Sequence, residues 1–298
     1  MKPSLELIKS LLLPDFPSGS SINFYQGSLY IIGDDANDIL VLDSLYNQQS
    51  LIHLFDYPEK RIHKVEKPDF ETSTIVNLGG EHYLLVLGSA SRPNRTKGVL
   101  LPLKEKTIAK SQIIAVDYQQ FVNRLEAIDP VEINIEGSTV IGNQFMLGNR
   151  ANRMNPVNKL ITTEVDFWKD QFNASIRVSS LKLSTKQDEI IGVSELCYVP
   201  SRDRLLMILS TEGTDSSYED GAIGDSYLGW INEISSKIGR SVIELDCLIN
   251  LSERSNVFKG EKIEGLCVEM IANNEMTLHF VSDNDRGEST VFKVKALL

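Results

Sequence analysis

One segment type recurs five times along the chain, and this recurrence limits the possible folds more than any other feature. Each copy has a short lead, a strand, a turn, a second strand closing on an apolar-Gly or apolar-Ser corner, and a polar tip. The copies read SGSSINFYQGSLYIIGDDAND from Ser18 to Asp38, KPDFETSTIVNLGGEHYLLVLGSAS from Lys67 to Ser91 and EINIEGSTVIGNQFMLGNRANR from Glu132 to Arg153. Two more follow: GVSELCYVPSRDRLLMILSTEG from Gly192 to Gly213, and EKIEGLCVEMIANNEMTLHFVSDNDRG from Glu261 to Gly287. A single all-strand unit cannot bury its own faces. Repetition every few tens of residues therefore predicts an all-β protein, a β-propeller in which neighbouring units cover one another.

Two further strand-like runs follow each of the first four tips, which makes four strands per unit. They are Ile39 to Asp43 and Leu51 to Phe55; Gly98 to Leu103 and Gln112 to Val116; Lys159 to Val165 and Ser175 to Leu183; Tyr227 to Ile234 and Ser241 to Leu248. Only Thr290 to Ala296 follows the fifth tip, so Leu5 to Leu12 at the N-terminus is the expected missing strand. Closing a ring with both chain ends removes free sheet edges. The expectation is one domain over 1–298, a five-bladed β-propeller with blades near 18–57, 67–118, 132–184, 190–250 and 261–298 plus 3–12. Six blades is the alternative if Thr214 to Lys262 hides a degenerate unit. Apolar residues at Phe121, Val122, Leu125 and Ile128 have helical spacing and predict a short surface helix over Tyr118 to Ile128. The Asp-, Ser- and Gly-rich stretch Thr214 to Gly224 predicts a long loop.

A net charge of −11 argues against a nucleic-acid partner, because phosphate binding depends on Lys and Arg displacing counterions. No apolar run approaches membrane-spanning length, and Leu11 to Leu13 is stopped by Pro14. With no basic head and long apolar region at the N-terminus, a cytoplasmic protein without a membrane partner is expected. Cys197, Cys247 and Cys267 are odd in number and form no Cys-x-x-Cys pair, which fits buried thiols in a reducing compartment. His53, His63, His82 and His279 are lone residues in or beside strands, which favours structural roles. There is no Gly-x-Ser-x-Gly elbow, His-Glu-x-x-His, phosphate-binding loop or dinucleotide fingerprint.

The repeated polar residues are the candidate site. In a propeller the first strand of each blade lines the central channel, so Glu71, Glu136, Glu195 and Glu264 are expected around one opening, completed by Ser20 or Ser21. The tips, among them Asp34, Asp35, Ser89, Asn149, Arg150, Thr211, Asp283 and Asp285, are expected on one rim. Two carboxylates about 6 Å apart repel by roughly 3 kcal/mol at an effective dielectric near 20, so the ring needs cations or protons. Arginines on or after the tips, Arg92, Arg95, Arg150, Arg153 and Arg286, are one source. The other is a bound Ca²⁺ or another divalent cation held by Glu136, Glu264 and Asp283. Asp283-Asn-Asp-Arg-Gly287 is not an EF-hand, because its fifth position is Gly and no Glu stands at the twelfth. A purely structural role is the alternative, with the Glu residues accepting backbone N–H bonds from the next blade and the Arg residues as their partners.

KIEGLCVE followed by LHFVSDNDRG, and NIEGSTV followed by FMLGNRANR, resemble the Glu-Gly leads and Asp-Asn-Asp tips of the esterase-like phytase family of β-propellers. KPDFETSTIV with LGSASRPNRTKGVLLP resembles a related bacterial propeller family of largely unknown function. The likeness touches all five units. It implies a polar central face and hydrolysis of phosphate or carboxylic esters, and it marks Glu136, Gly137, Glu264, Gly265, Asp283, Asn284 and Asp285. Glu195 is followed by Leu and Glu71 by Thr where the pattern has Gly, and the first unit has no Glu.

The leading expectation is a propeller that binds a small polar, anionic ligand at its axial face through Arg92, Arg95, Arg150 and Arg153, beside Glu71, Glu195, Asp34 and Asp285. The alternative is metal-assisted hydrolysis of an ester, lactone or phosphate, with Glu136, Glu264 and Asp283 as the catalytic and metal-holding groups. A third is a scaffold that uses its flat faces for protein partners.

Overall fold

The structure, a computed structural model, describes residues 3–104, 108–183, 190–212, 223–284 and 286–298. After β1 (Ser4–Leu13) come β2 (Gly19–Tyr25), β3 (Ser28–Gly33), β4 (Asp38–Asp43) and β5 (Gln48–His53), then β6 (Phe70–Leu78), β7 (Glu81–Gly88), β8 (Lys97–Pro102) and β9 (Ile114–Asp117). The helix α1 (Gln119–Ile128) leads to β10 (Ile135–Ile141), β11 (Gln144–Asn149), β12 (Lys159–Glu164) and β13 (Arg177–Lys182). The chain continues through β14 (Ile191–Val199), β15 (Arg204–Glu212), β16 (Ile223–Asn232), β17 (Val242–Glu244) and β18 (Cys247–Asn250) to β19 (Lys262–Ala272), β20 (Glu275–Asp283) and β21 (Ser289–Leu297).

These strands form five sheets that begin at β2, β6, β10, β14 and β19. Each of these first strands packs against the first strands of the two neighbouring sheets, and β19 returns to β2, which makes the ring of a five-bladed propeller. β1 pairs antiparallel with β21 from Ser4↔Leu297 to Leu13↔Ser289, so the fifth blade has its fourth strand from the N-terminus. Apolar side chains fill the wedges between blades. Leu85, Leu87, Phe145 and Leu147 pack between the second and third blades, and α1 lays Phe121, Val122 and Leu125 onto the same cluster. Ile128 of that helix is exposed. Most of the expected loop over Thr214 to Gly224 lies outside the described residues. No helix among the described residues is long and apolar enough to cross a membrane.

The fourth blade departs from expectation. The run Ser241 to Leu248 does not form one strand: β17 leaves its own blade and adds parallel to β13, while β18 pairs with β16. Burial explains the split, since Ile243 and Leu245 are inserted beside Leu181 in the apolar cluster between the third and fourth blades. A short strand that covers the β13 edge also removes it as a pairing template.

All five inner strands share one irregularity near their start. The pairing register with the second strand skips one residue, which is Ser20 in β2, Glu71 in β6, Glu136 in β10, Ser194 in β14 and Glu264 in β19. A bulge of this kind re-aims one side chain out of the alternation of its strand. The next residues are Ser21, Thr72, Gly137, Glu195 and Gly265. A Cβ on Gly137 would lie 2.9 Å from the Leu196 backbone nitrogen, and one on Gly265 would lie 2.9 Å from that of Ile22. The Glu-Gly pairs therefore combine a re-aimed acid with a glycine that lets the neighbouring inner strand approach.

Candidate functional site

The N-terminal ends of the inner strands and the tips after the second strands enclose a cavity of about 610 Å³ at one mouth of the axis. The bulged residues Glu71, Glu136 and Glu264 line it, with Asp34, Asp35, Asp283, Arg95 and Arg150 from the tips. Sequence reasoning missed several more lining residues, among them Arg61, Lys67, Asp69 and Lys262. Lys67 and Asp69 open the second repeat and Lys262 stands two before Glu264, so a signal existed in the leads. Arg61 lies between repeats, where no periodicity marks it.

The positive charges of this mouth are built in. The Lys67 ammonium pairs with Asp34 and lies 2.8 Å from Asp69, whose other oxygen takes the Arg95 guanidinium at 2.7 Å. Arg61 Nε meets Asp35 at 2.7 Å, and Lys262 meets Glu264 at 2.8 Å. Arg150 Nη1 reaches Glu136 at 3.1 Å and also donates to Ser194 Oγ at 2.6 Å, while its Nη2 donates to Ser210 Oγ at 2.9 Å. Its side chain lies across the fourth blade because that blade has small residues there: a Cβ on Gly192 would stand 2.6 Å from Arg150 Cγ. The missing acid of the fourth blade is thus replaced by room for an arginine.

Three oxygen-bearing groups stand apart. Asp34 Oδ1 and Asp35 Oδ1 are buried with no hydrogen-bond donor among the described residues. Glu71 has neither a hydrogen bond nor an ion pair among the described residues, and it lines the cavity. Burial, then the charges of Asp69, Asp34 and Glu136, push the Glu71 carboxyl well above the usual range, with Lys67 opposing. Burial also raises Asp34 to about 6 despite Lys67, with Asp35 and Asp69 adding to the rise. Lys67 is the converse: burial alone would lower it, but Asp34, Asp69 and Glu71 outweigh that and hold it charged. Carboxylate oxygens of Asp34, Asp69 and Glu71 lie within 4.8 Å of one another.

The remaining expected residues are placed differently. Arg92 and Arg153 are exposed and do not line the cavity. Asp285 lies outside the described residues. Glu195 is one position beyond the bulge, so Ser194 is the counterpart of Glu71, Glu136 and Glu264, and Ser20 rather than Ser21 completes that set. The Glu195 carboxylate instead points into the channel interior. It accepts a hydrogen bond from Ser21 Oγ at 2.7 Å, from the Leu196 N–H at 2.9 Å and from the Ser138 N–H at 3.4 Å. Ser21 belongs to the first blade and Glu195 to the fourth, which are not neighbours, so this bond spans the axis. Desolvation pushes the Glu195 carboxyl well above the usual range, only partly offset by its hydrogen bonds from Ser21, Leu196, Ser138 and Thr72.

Ring and cavity together define a five-bladed β-propeller with a charged axial mouth. Residues 15–296 match the family of unknown function DUF6929, and the chain belongs to that family. No curated protein matches it. Among solved structures it is similar to the glutaminyl cyclase of Myxococcus xanthus, with a TM-score of 0.55 at 10% identity over 99% of this chain and 97% of the cyclase. It is also similar to the tail fiber of Staphylococcus aureus phage P68, with a TM-score of 0.52 at 9% identity; all of this chain matches 53% of the fiber chain, about half its length. At these identities the likeness is one of fold.

Proposed function

We propose that the charged axial mouth binds a small polar molecule that presents a positively charged, N–H-rich group to Asp34, Asp35 and Glu71. The observation that carries this reading is the excess of unmet acceptors at the cavity: among the described residues Asp34 Oδ1 and Asp35 Oδ1 lack donors against one unmet donor, Arg95 Nε, and the Glu71 carboxyl lines the same space. Of the four arginines expected to receive an anion, Arg95 is engaged with Asp69 and Arg150 with Glu136, while Arg92 and Arg153 do not line the cavity. A cationic ligand opposes the burial and the like-charge repulsion that raise the Glu71 carboxyl. Calorimetric titration of the full chain with benzamidinium tests this. Binding should weaken by at least about tenfold in Glu71→Gln, and it should strengthen as pH rises through 6 because the ligand competes with protons for Asp34 and Glu71. Benzoate bound in preference to benzamidinium, with contacts to Arg95, would restore the anion reading.

Metal-assisted hydrolysis of an ester, lactone or phosphate is a second reading. The resemblance to esterase-like phytases and the close approach of Asp34, Asp69 and Glu71 favour it. Lys67 already sits between Asp34 and Asp69, so a divalent cation has to displace an ammonium group. Calcium that raises the melting temperature of Lys67→Ala but not of the unmodified chain would identify these carboxylates as the ligand set.

A further inference from the structure

The C-terminal halves of the same five inner strands enclose a second cavity, of about 420 Å³, at the opposite mouth. Glu195 forms part of its wall, and its bond to Ser21 across the axis lies between the two mouths. None of its lining residues among those described is Lys, Arg or His. Thr74, whose hydroxyl meets Ser138 Oγ at 2.5 Å, and Thr139, whose hydroxyl accepts the Tyr198 N–H at 3.1 Å, line it beside Ile75, Val140 and Met270. We infer that this mouth is a separate ligand site, for a small uncharged molecule with an apolar body and one hydroxyl, carbonyl or amide group.

Charge complementarity sets that class. An anion would find no cationic side chain to replace its lost hydration, and burying an unpaired charge is far costlier than burying a hydroxyl or amide that finds a hydrogen bond. A cation finds two carboxyl groups there, and both are already engaged. Glu195 has no cationic partner among the described residues, and its oxygens are engaged by Ser21 and two backbone N–H groups. Glu269 is already held by Lys293 at 2.7 Å and by His279 Nε2 at 3.0 Å. Apolar walls with scattered hydroxyls suit a neutral amphipathic molecule.

Three isosteres test the assignment on the full chain by ligand-observed NMR: benzamide, benzoate and benzamidinium. Benzamide should bind at this mouth at least about tenfold more tightly than benzoate. Met270 is 56% exposed at the opening, so Met270→Trp should fold normally and block benzamide. Glu71→Gln should leave benzamide unchanged while it weakens benzamidinium, which separates this site from the charged mouth. The assignment is overturned if benzoate matches benzamide, if benzamide is insensitive to Met270→Trp, or if no benzamide binding is detected up to about 10 mM.

Discussion

The two mouths of the axis are built from the two ends of the same five strands, yet they are chemically opposite. At the N-terminal ends the bulge aims acids into the cavity, and Lys67, Arg61, Arg95, Arg150 and Lys262 converge on them. Toward the C-terminal ends regular alternation resumes in four of the five strands, β19 skipping once more at Glu269, and the cavity presents Thr, Ile, Val and Met around Glu195 and Glu269 with no basic residue among those described. The residue skipped near the start of each strand contributes to this difference, because in a β-strand such a step moves the later side chains to the other face. The lesson is that the chemistry of a propeller face is set by register as much as by residue type.

The strongest way to break the comparison is to unbalance the charged mouth. Arg95 and Asp69 are both nearly fully buried, so Arg95→Ala leaves a buried carboxylate short of its partner. It should lower unfolding free energy by about 3–5 kcal/mol in chemical denaturation. Removing a pair from the other end, Lys293→Ala, should cost clearly less, since Lys293 is more exposed.

Acid should act on the two ends in opposite senses. His279 accepts a place between Tyr46 (2.9 Å) and Glu269 (3.0 Å), joining the first and fifth blades, and burial lowers it from 6.5 to about 4. A depressed histidine takes up fewer protons folded than unfolded, so its contribution falls as pH drops from about 6.5 through 4, by up to roughly 3 kcal/mol. Asp34 is raised from 3.8 to about 6, so the folded state holds its proton more tightly and its contribution fades as pH rises through that window. Urea midpoints between pH 4 and 7 should therefore show a steeper acid loss in Asp34→Asn and a shallower one in His279→Gln. Parallel pH profiles for both variants would remove the contrast.

Tighter contacts between blades should have smaller effects. Gly265→Ala places a methyl group 2.6 Å from Val281 Cγ1 and 2.9 Å from the Ile22 backbone nitrogen, and it should cost about 1–3 kcal/mol by thermal melting. The smallest effect is expected from Arg92→Ala and Arg153→Ala, which should stay within about 0.5 kcal/mol of the unmodified chain and leave benzamidinium binding unchanged.

Repeat logic read the blades well. The five inner strands, their partners and the N-terminal strand beside β21 are all where the corners and tips placed them. The division of Ser241 to Leu248 between two sheets was not legible, because a short parallel addition depends on which edge a neighbouring blade leaves open. Within the site, Glu71, Glu136, Glu264, Asp34 and Asp283 were brought together as their repeat positions implied. Glu195 was not, because a Glu one residue late in the repeat looks equivalent in a string of letters. Alignment by eye on the acid, rather than on the Gly or Thr after it, conceals the shift.

The sequence by itself determined the repeating strand unit, the N-terminal strand that completes the last blade and the supply of acids at the axis, since each follows from local periodicity that repeats, while the count of five against six was left to the structure. Only the tertiary structure decided which acids face which mouth, which cations neutralise them and that Glu195 bonds across the channel. Those outcomes rest on a one-residue register step and on distances of 2.6–3.1 Å between side chains far apart in the chain, such as Arg150 with Ser194 and Glu136. Neither quantity is encoded in spacing along the chain, because electrostatic pairing and desolvation depend on through-space geometry.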